Sequence, residues 1–195
     1  MELLRHPVLI LIRGLPGSGK SYLAKSLQKA FPRDGVVMLD PDATDYQSKE
    51  YLEHVKALTT EGVDASLHAY RFLRAKAYAG ISDHKIIIWN QPFTNLEIFN
   101  KMVGRLLTHV SENGSDLPIL VVEVEIDPAA AKQRIAQRKN AGGHGPSDHT
   151  LAQRINDYKS FAEHGYNTVA VDGEKDVSDS VASVLKALAE LLQKS

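Results

Sequence analysis

One segment near the start of the chain, Gly14 to Ser21, has the residue types and spacing of a phosphate-binding loop. It reads Gly-Leu-Pro-Gly-Ser-Gly-Lys-Ser and matches the pattern G-x-x-x-x-G-K-[ST] at every position. Glycines let such a loop turn tightly and point its N–H groups at phosphate oxygens, while the lysine reaches the β- and γ-phosphates. The segment therefore predicts a site for ATP with Mg²⁺. The predicted nucleotide-binding residues are Gly14, Leu15, Pro16, Gly17, Ser18, Gly19, Lys20, Ser21 and Tyr22.

Two carboxylates, Asp40 and Asp42, follow the second apolar run that could form a strand. An acid at the carboxyl end of a parallel strand can hold metal-bound water or accept the proton of an attacking hydroxyl. We predict that Asp40 is the catalytic carboxylate, because it lies closer to the strand end. We also predict that Asp40 and Ser21 are metal ligands. Asp42 remains an alternative for the base. A plain turn or helix cap beside Pro41 is the structural alternative for both acids.

Two arginines, Arg134 and Arg138, are four residues apart and share one face of a predicted helix. This helix leads into a segment with three glycines. We predict a lid at about 139–149. Its closure would bring the arginines over the triphosphate, where they would exclude water and neutralise charge on the transferred phosphoryl group. His144 in this segment is a further candidate substrate contact. A solvated basic helix followed by a flexible loop remains the alternative.

The elements that must position these residues alternate between short β-rich runs and longer helical patterns, which predicts a parallel sheet covered by helices. The predicted strands are Val8–Ile12, Val36–Leu39, Ile86–Trp89, Leu117–Ile126 and Thr168–Val171. The predicted helices are Ser21–Phe31, two between Tyr46 and Gly80 that break near Gly62, one capped by Thr94 and Glu97, one from Pro128, one from Ser147 to about Glu163, and Val177–Leu192. We therefore predict a three-layer α/β/α P-loop NTPase fold with a five-stranded parallel sheet, a small lid and one domain over residues 1–195.

The composition argues against several classes of partner. The formal net charge is −1, so the chain offers no excess of basic residues for a polynucleotide. Cysteine is absent, which excludes disulfides and thiolate metal sites. The apolar run before Arg13 is too short for a signal peptide or a membrane helix. We predict a cytoplasmic protein with no membrane partner, whose partners are ATP and a small-molecule acceptor.

Other nucleotide-binding classes lack their expected signatures. No Asn-Lys-x-Asp segment supports guanine selection, and no apolar run ends in the Asp-Glu pair of motor ATPases. The third predicted strand ends in Asn90, an amide that can accept a bond from metal-bound water but carries no charge. A carboxylate for the metal must then come from Asp40 or Asp42. In the fourth predicted strand, Glu123 and Glu125 alternate with apolar residues, and buried acids there would need partners.

Residues between the second and third strands and just after the third strand are candidates for contacts with the acceptor. Arg71 and Arg74 are three apart and could bind an anionic acceptor, although solvated helix charges are the favoured interpretation. Trp89 and Gln91 flank the end of a strand, where a pocket is expected. A core position is the default interpretation for Trp89.

The chain resembles the small P-loop kinases in its P-loop after the first strand, its Asp-x-Asp after the second, and its Asp-Pro…Arg-x-x-x-Arg helix before a glycine-rich segment. It is most similar to the group of zeta-toxin-like kinases, chloramphenicol phosphotransferase and the kinase domain of polynucleotide kinase. Gluconate and adenylate kinases are more distant. The resemblance implies a five-stranded parallel sheet, ATP–Mg²⁺ as donor and an acid after the second strand as base. The matching positions are Lys20, Ser21, Asp40 or Asp42, Arg134 and Arg138.

The leading interpretation is an ATP-dependent phosphotransferase that acts on a hydroxyl group of a small molecule. A kinase of RNA or nucleotide ends is the alternative enzyme, and it would show a salt-sensitive affinity for RNA. A nucleotide-dependent switch protein without turnover is the alternative outside enzymes. It would bind ATP without transferring phosphate.

Overall fold

The computed structural model describes residues 6–112, 114, 116–143 and 145–194. The strands are β1 (Val8–Gly14), β2 (Val36–Leu39), β3 (Ile86–Asn90), β4 (Ile119–Glu125) and β5 (Asn167–Asp172). The helices are α1 (Lys20–Gln28), α2 (Lys49–Thr60), α3 (His68–Ser82), α4 (Leu96–Glu112), α5 (Pro128–Asn140), α6 (Asp148–Asp157) and α7 (Val177–Leu192). The five strands form one parallel sheet in the order β2-β3-β1-β4-β5. The sheet and the helical layers confirm the predicted α/β/α P-loop fold.

The apolar runs of β1 and β3 are buried on both faces because helices cover each side of the sheet. Alternate residues of β1 point to opposite sides. On one side, Ile10 lies in a core with Leu27 of α1 and Val184 of α7. On the other side, Leu11 lies in a core with Phe99 of α4 and residues of α3. The central strands are therefore held rigidly, and their carboxyl ends present the loops that follow them at one edge.

Several element bounds differ from the predicted ones, and two differences concern helix ends. The capping box at Thr94 and Glu97 was wrong, because Asn95 supplies the cap and its Oδ1 accepts a hydrogen bond from the Ile98 N–H at 2.9 Å. The helix predicted to reach Glu163 ends at Asp157. The chain leaves the helix there because the Arg13 guanidinium binds the Lys159 carbonyl at 2.8 Å.

The break near Gly62 between two helices is confirmed, with α2 ending at Thr60 and α3 beginning at His68. Within the part of the chain that the structure describes, no helix combines the length and apolarity needed to cross a lipid bilayer.

Candidate active site

The loop between β1 and α1, Gly14–Ser21, has the backbone of a phosphate cradle. Gly14, Gly17 and Gly19 have φ angles of 153°, 84° and 95°, a region that side chains rarely adopt. A Cβ atom at Gly17 would also lie 2.8 Å from the Ala131 carbonyl oxygen of α5. Because α1 begins at Lys20 and Gly19 has no side chain to cap it, its first N–H groups are open to an anion.

Lys20 is buried in this loop and only 9% exposed. Its Nζ donates a hydrogen bond to the Leu15 carbonyl at 2.9 Å. Burial lowers the pKa of Lys20 to about 8, the Asp42 carboxylate opposes that shift, and the guanidinium groups of Arg154 and Arg138 add to it. The ammonium group therefore lies where a polyanion would restore its full charge.

A hydrogen-bonded chain joins the ends of β2 and β3 to the P-loop. The Asn90 Nδ2 donates to the Ser21 Oγ at 3.0 Å and to the Asp40 Oδ2 at 2.7 Å. The other Asp40 oxygen accepts from the Asp42 N–H at 2.9 Å, so Asp40 also caps the turn Pro41–Ala43, as the structural alternative predicted. The Asn90 Oδ1 is buried and has no hydrogen-bond partner among the described residues. A hydroxyl, an amide oxygen and a carboxylate thus meet beside the phosphate loop.

These oxygen groups are of the kind that Mg²⁺ prefers. Among the described residues, no group of three or more His, Asp or Glu side chains is arranged to hold a metal ion. Mg²⁺ usually takes one or two carboxylates from the protein and its other ligands from water and substrate phosphates, so the arrangement of Ser21 and Asp40 fits a nucleotide-bound ion. The predicted metal role of Ser21 and Asp40 stays a prediction.

A cleft of about 540 Å³ opens in front of the P-loop. Its walls come from the P-loop, the turn that contains Asp42, residues 90–92 and the segment that joins α5 to α6. Asp42 lines this cleft, whereas Asp40 lines a second cavity of about 370 Å³ beside β2. Of the two acids considered for the base, the geometry favours Asp42, because it alone of the two faces the space beside Lys20.

The two predicted arginines lie in different surroundings. Arg138 lines the cleft. The Nη1 of Arg134 donates to the carbonyl oxygens of Gly17 at 3.3 Å and Gly173 at 2.9 Å, which ties the P-loop to the turn after β5. A role for Arg134 at the transferred phosphoryl group stays a prediction, and its contacts in this structure are those of a clamp on the loop.

Sequence reasoning missed Arg154 and Gly173. Arg154 of α6 lines the cleft, and its positive charge lowers the pKa of Lys20. The basic residues of the preceding helix, α5, could have directed attention to a further arginine in α6. A Cβ atom at Gly173 would lie 2.1 Å from the Ser18 carbonyl oxygen, so this glycine is pressed against the P-loop. No local signal marks Gly173, because the contact joins two distant segments.

The remaining candidates also have definite surroundings. Tyr22 lines the cleft and is 67% exposed. Gln91 lines it as well, and its Oε1 accepts from the Nε1 of Trp89, a fully buried core residue. Arg74 lies over the rings of Tyr70 and Tyr78.

Neither Arg71 nor Arg74 is among the described residues that line the cleft. His144 lies outside the described residues.

Comparisons with known proteins identify a family and a shared fold. A family model described as "AAA domain" matches residues 9–172. NEDD4-binding protein 2 of Homo sapiens is 40% identical over 90 residues, which are 46% of this chain, and the chain spans only 4% of the length of that protein.

Two solved kinase structures share the fold. A gluconokinase from Sinorhizobium meliloti 1021 aligns with a TM-score of 0.58 and 18% identity, over 97% of this chain and 96% of the other. A deoxyadenosine kinase from M. mycoides with bound dATP aligns with a TM-score of 0.52 and 18% identity, over 93% of this chain and 99% of the other. At such identities the likeness shows the fold alone.

Proposed function

This chain belongs to the AAA domain family, and on that premise we propose that it is a kinase that transfers the γ-phosphoryl group of ATP to a hydroxyl group of a small molecule. The observation that carries the proposal is the convergence of five functional groups at one cleft. The P-loop contributes Lys20 and Ser21, the turn after β2 contributes Asp42, and the α5 and α6 helices contribute Arg138 and Arg154. Phosphoryl transfer depends almost entirely on such positioned charges.

The residues fit a nucleoside triphosphate with Mg²⁺. Side chains at Gly14 and Gly17 would collide with neighbouring carbonyl oxygens, and the carboxylates of Asp42 and Asp40 compensate only part of the cost of burying the Lys20 ammonium group. In this proposal Lys20 and the loop N–H groups hold the β- and γ-phosphates, and the Ser21 hydroxyl and Asp40 hold the metal. When bound, Mg²⁺ supplies positive charge to the phosphate oxygens. Asn90, which hydrogen-bonds Ser21 and Asp40, keeps both oxygens in place.

We assign the base to Asp42 because it lines the cleft, which Asp40 does not, and because Asp40 is the metal ligand in this proposal. The acceptor hydroxyl gives its proton to Asp42 as its oxygen forms a bond to the γ-phosphorus. The bond from that phosphorus to the bridging oxygen of the β-phosphate breaks, and ADP leaves. Arg138 and Arg154 stabilise the charge on the transferred group.

In the same proposal, the segment that joins α5 and α6 is the lid. It lies between Arg138, in the last turn of α5, and α6, which carries Arg154, so its closure would cover the triphosphate beside these two cations and exclude water. The cleft volume of about 540 Å³ is in the range of pockets for small ligands such as a nucleotide. The net charge of −1 supports a small acceptor over a polynucleotide.

The test is transfer of label from γ-labelled ATP with Mg²⁺ to a metabolite extract and, in a parallel reaction, to an oligonucleotide with a 5′-hydroxyl end. We expect a labelled small molecule and a loss of at least about 100-fold in rate for Asp42→Asn. Asp45→Asn is the matched control, since Asp45 lines the second cavity. It should keep the wild-type rate.

Each other outcome has a defined meaning. Label on the oligonucleotide alone would replace the proposal by a nucleic-acid end kinase. Tight ATP binding without any labelled product would support a switch protein without turnover. If Asp40→Asn abolished transfer while Asp42→Asn did not, the base would be Asp40.

A further inference from the structure

A charged side chain lies inside the protein one residue before the P-loop. Arg13 of β1 is 0% exposed. Its guanidinium forms an ion pair with Glu123 of β4, donates to the Lys159 carbonyl at 2.8 Å and donates through Nε to the Phe93 carbonyl at 3.2 Å. Arg13 therefore joins β1 to three other segments of the chain.

One of these segments is the strap, residues 158–161, which connects α6 to the turn before β5. The Arg13 guanidinium contacts two aromatic rings of the strap, with its Cζ 3.6 Å from the ring centre of Phe161 and 4.3 Å from that of Tyr158. Glu123 accepts hydrogen bonds from the Ser160 Oγ and from the Phe161 N–H, both at 2.7 Å. The ion pair thus holds the strap by its main chain and its side chains.

The strap begins where α6 ends, and α6 carries two of the residues that line the cleft, Thr150 and Arg154. Arg154 lies in the last turn of α6, directly before the strap. Because a helix is stiff over so short a distance, the anchor at the strap fixes the backbone from which the Arg154 side chain extends toward the cleft.

The second segment is the loop after β3, in which Phe93 has a φ of +46°. Bulky side chains avoid this left-handed region, so the surrounding structure must hold Phe93 there. The Nε of Arg13 donates to the Phe93 carbonyl, and the Phe93 ring packs against Phe99 and Trp89. The two residues before it, Gln91 and Pro92, line the same cleft as Thr150 and Arg154 of α6.

We propose that Arg13 and Glu123 are positioning residues, which hold the strap and the Phe93 loop and thereby set the position of Arg154 opposite the γ-phosphate. This inference rests on the proposed function, since it needs a nucleotide in the P-loop. Apolar residues could fill the same space, and a buried ion pair seldom adds more stability than they would. What an apolar pair could not provide is the set of hydrogen bonds from Arg13 and Glu123 to the strap and the Phe93 loop, which lead to two walls of the cleft.

The experiment measures the affinity of the whole chain for Mg²⁺–ADP and for a non-hydrolysable ATP analogue with an imido β–γ bridge by calorimetry. Both nucleotides fill the P-loop, but only the analogue reaches the cations that face the γ-phosphate. We expect the wild type to prefer the analogue. Arg154→Gln should reduce that preference about tenfold, as the loss of one charge-assisted hydrogen bond predicts.

Arg13→Lys keeps the charge but loses the planar fork, so it should loosen the strap and the Phe93 loop together. We expect it to lose the preference for the analogue to the same extent as Arg154→Gln, with ADP affinity changed by less than about threefold. In the double variant the two losses should not add, because they report the same contact. Arg74→Lys is the matched control, since Arg74 also lies over two aromatic rings but does not line the cleft among the described residues.

Ser160→Ala provides a milder perturbation if Arg13→Lys fails to fold. It removes one hydrogen bond to Glu123 at an exposed position of the strap and should lower the preference in the same direction by a smaller factor. An unchanged preference in Ser160→Ala and in folded Arg13→Lys would overturn the positioning role while leaving the proposed function intact. Additive losses in the double variant would also overturn it. A wild type that binds neither nucleotide would overturn the proposed function, and this inference with it.

Discussion

Replacing Lys20 with methionine should stabilise the unliganded protein while abolishing nucleotide binding. The ammonium group is about nine-tenths buried, and its pKa falls from 10.5 to about 8, mainly because burial penalises the charged form. The carboxylates of Asp42 and Asp40 offset only part of that penalty. Methionine has a similar shape and no charge, so the Met variant avoids the cost of burying the ammonium group.

The size of the effect follows from the pKa change. At 1.36 kcal/mol for each pKa unit, the lowering from 10.5 to about 8 corresponds to a cost of about 3 kcal/mol when the lysine is charged. Methionine cannot make the hydrogen bond from Nζ to the Leu15 carbonyl, and the loss of this bond reduces the gain by about 1 kcal/mol. We therefore expect Lys20→Met to raise the free energy of unfolding by about 2 kcal/mol at pH 7.

The dependence on pH provides a second signature. Between pH 8 and 10.5 the unfolded state of the wild type binds more protons than the folded state at Lys20, so the stability of the wild type rises with pH in this window. Below pH 8 the penalty is fully present. The advantage of the Met variant should thus stay constant below pH 8 and disappear by about pH 10.5.

The assay is urea unfolding of the wild type and of Lys20→Met at pH 7, 9 and 10.5, with Mg²⁺–ATP added in a parallel series. Lys25→Met is the matched control, because Lys25 is exposed on the same helix and should change stability by less than about 0.5 kcal/mol. Added nucleotide should stabilise the wild type and the control but not Lys20→Met. A Met variant no more stable than the wild type at pH 7, or an advantage unchanged at pH 10.5, would refute the reasoning.

Two further predictions concern the neighbours of the P-loop. Gly173→Ala should lower the free energy of unfolding by about 1–3 kcal/mol and weaken ATP binding, because the added Cβ would lie 2.1 Å from the Ser18 carbonyl oxygen. The control is Gly104→Ala, where no atom lies within 4 Å of the added Cβ. It should be neutral or stabilising in the same urea titration. Asn90→Asp should lower the melting temperature without metal, since two carboxylates would then face each other at Asp40. Its gain in melting temperature on addition of Mg²⁺ with ADP should exceed that of the wild type, and an equal gain would contradict a metal at this site.

Local patterns were sufficient for the P-loop and for most of the elements. Val8–Ile12 is buried on both faces as its continuous apolar run predicted, and the glycines of the P-loop adopt the φ values that only glycine tolerates well. Caps were less predictable. Asn95 rather than Thr94 caps α4. The residue that caps a helix depends on the residue at which the preceding loop ends and the helix begins, which local sequence defines only to within one or two residues.

The assignment of the two acids needed the fold. Asp40 and Asp42 are close in sequence and of the same type, so spacing alone could not separate them. In the structure Asp40 is 8% exposed and accepts a hydrogen bond from Asn90, which lies 50 residues further along the chain. Asp42 faces the cleft instead. The hydrogen bond to Asn90 is what distinguishes them.

The sequence by itself determined the phosphate loop, the alternation of strands and helices, and the positions of the candidate charges, because each depends on neighbours within a few residues. Only the tertiary structure decided which charged side chains pair with each other and which face the cleft. Glu123 acquired its buried partner across 110 residues, and the Arg13 guanidinium found the Lys159 carbonyl across 146. Such contacts depend on how strands and loops pack at the carboxyl edge of the sheet, and packing between distant segments leaves no periodic trace in the chain.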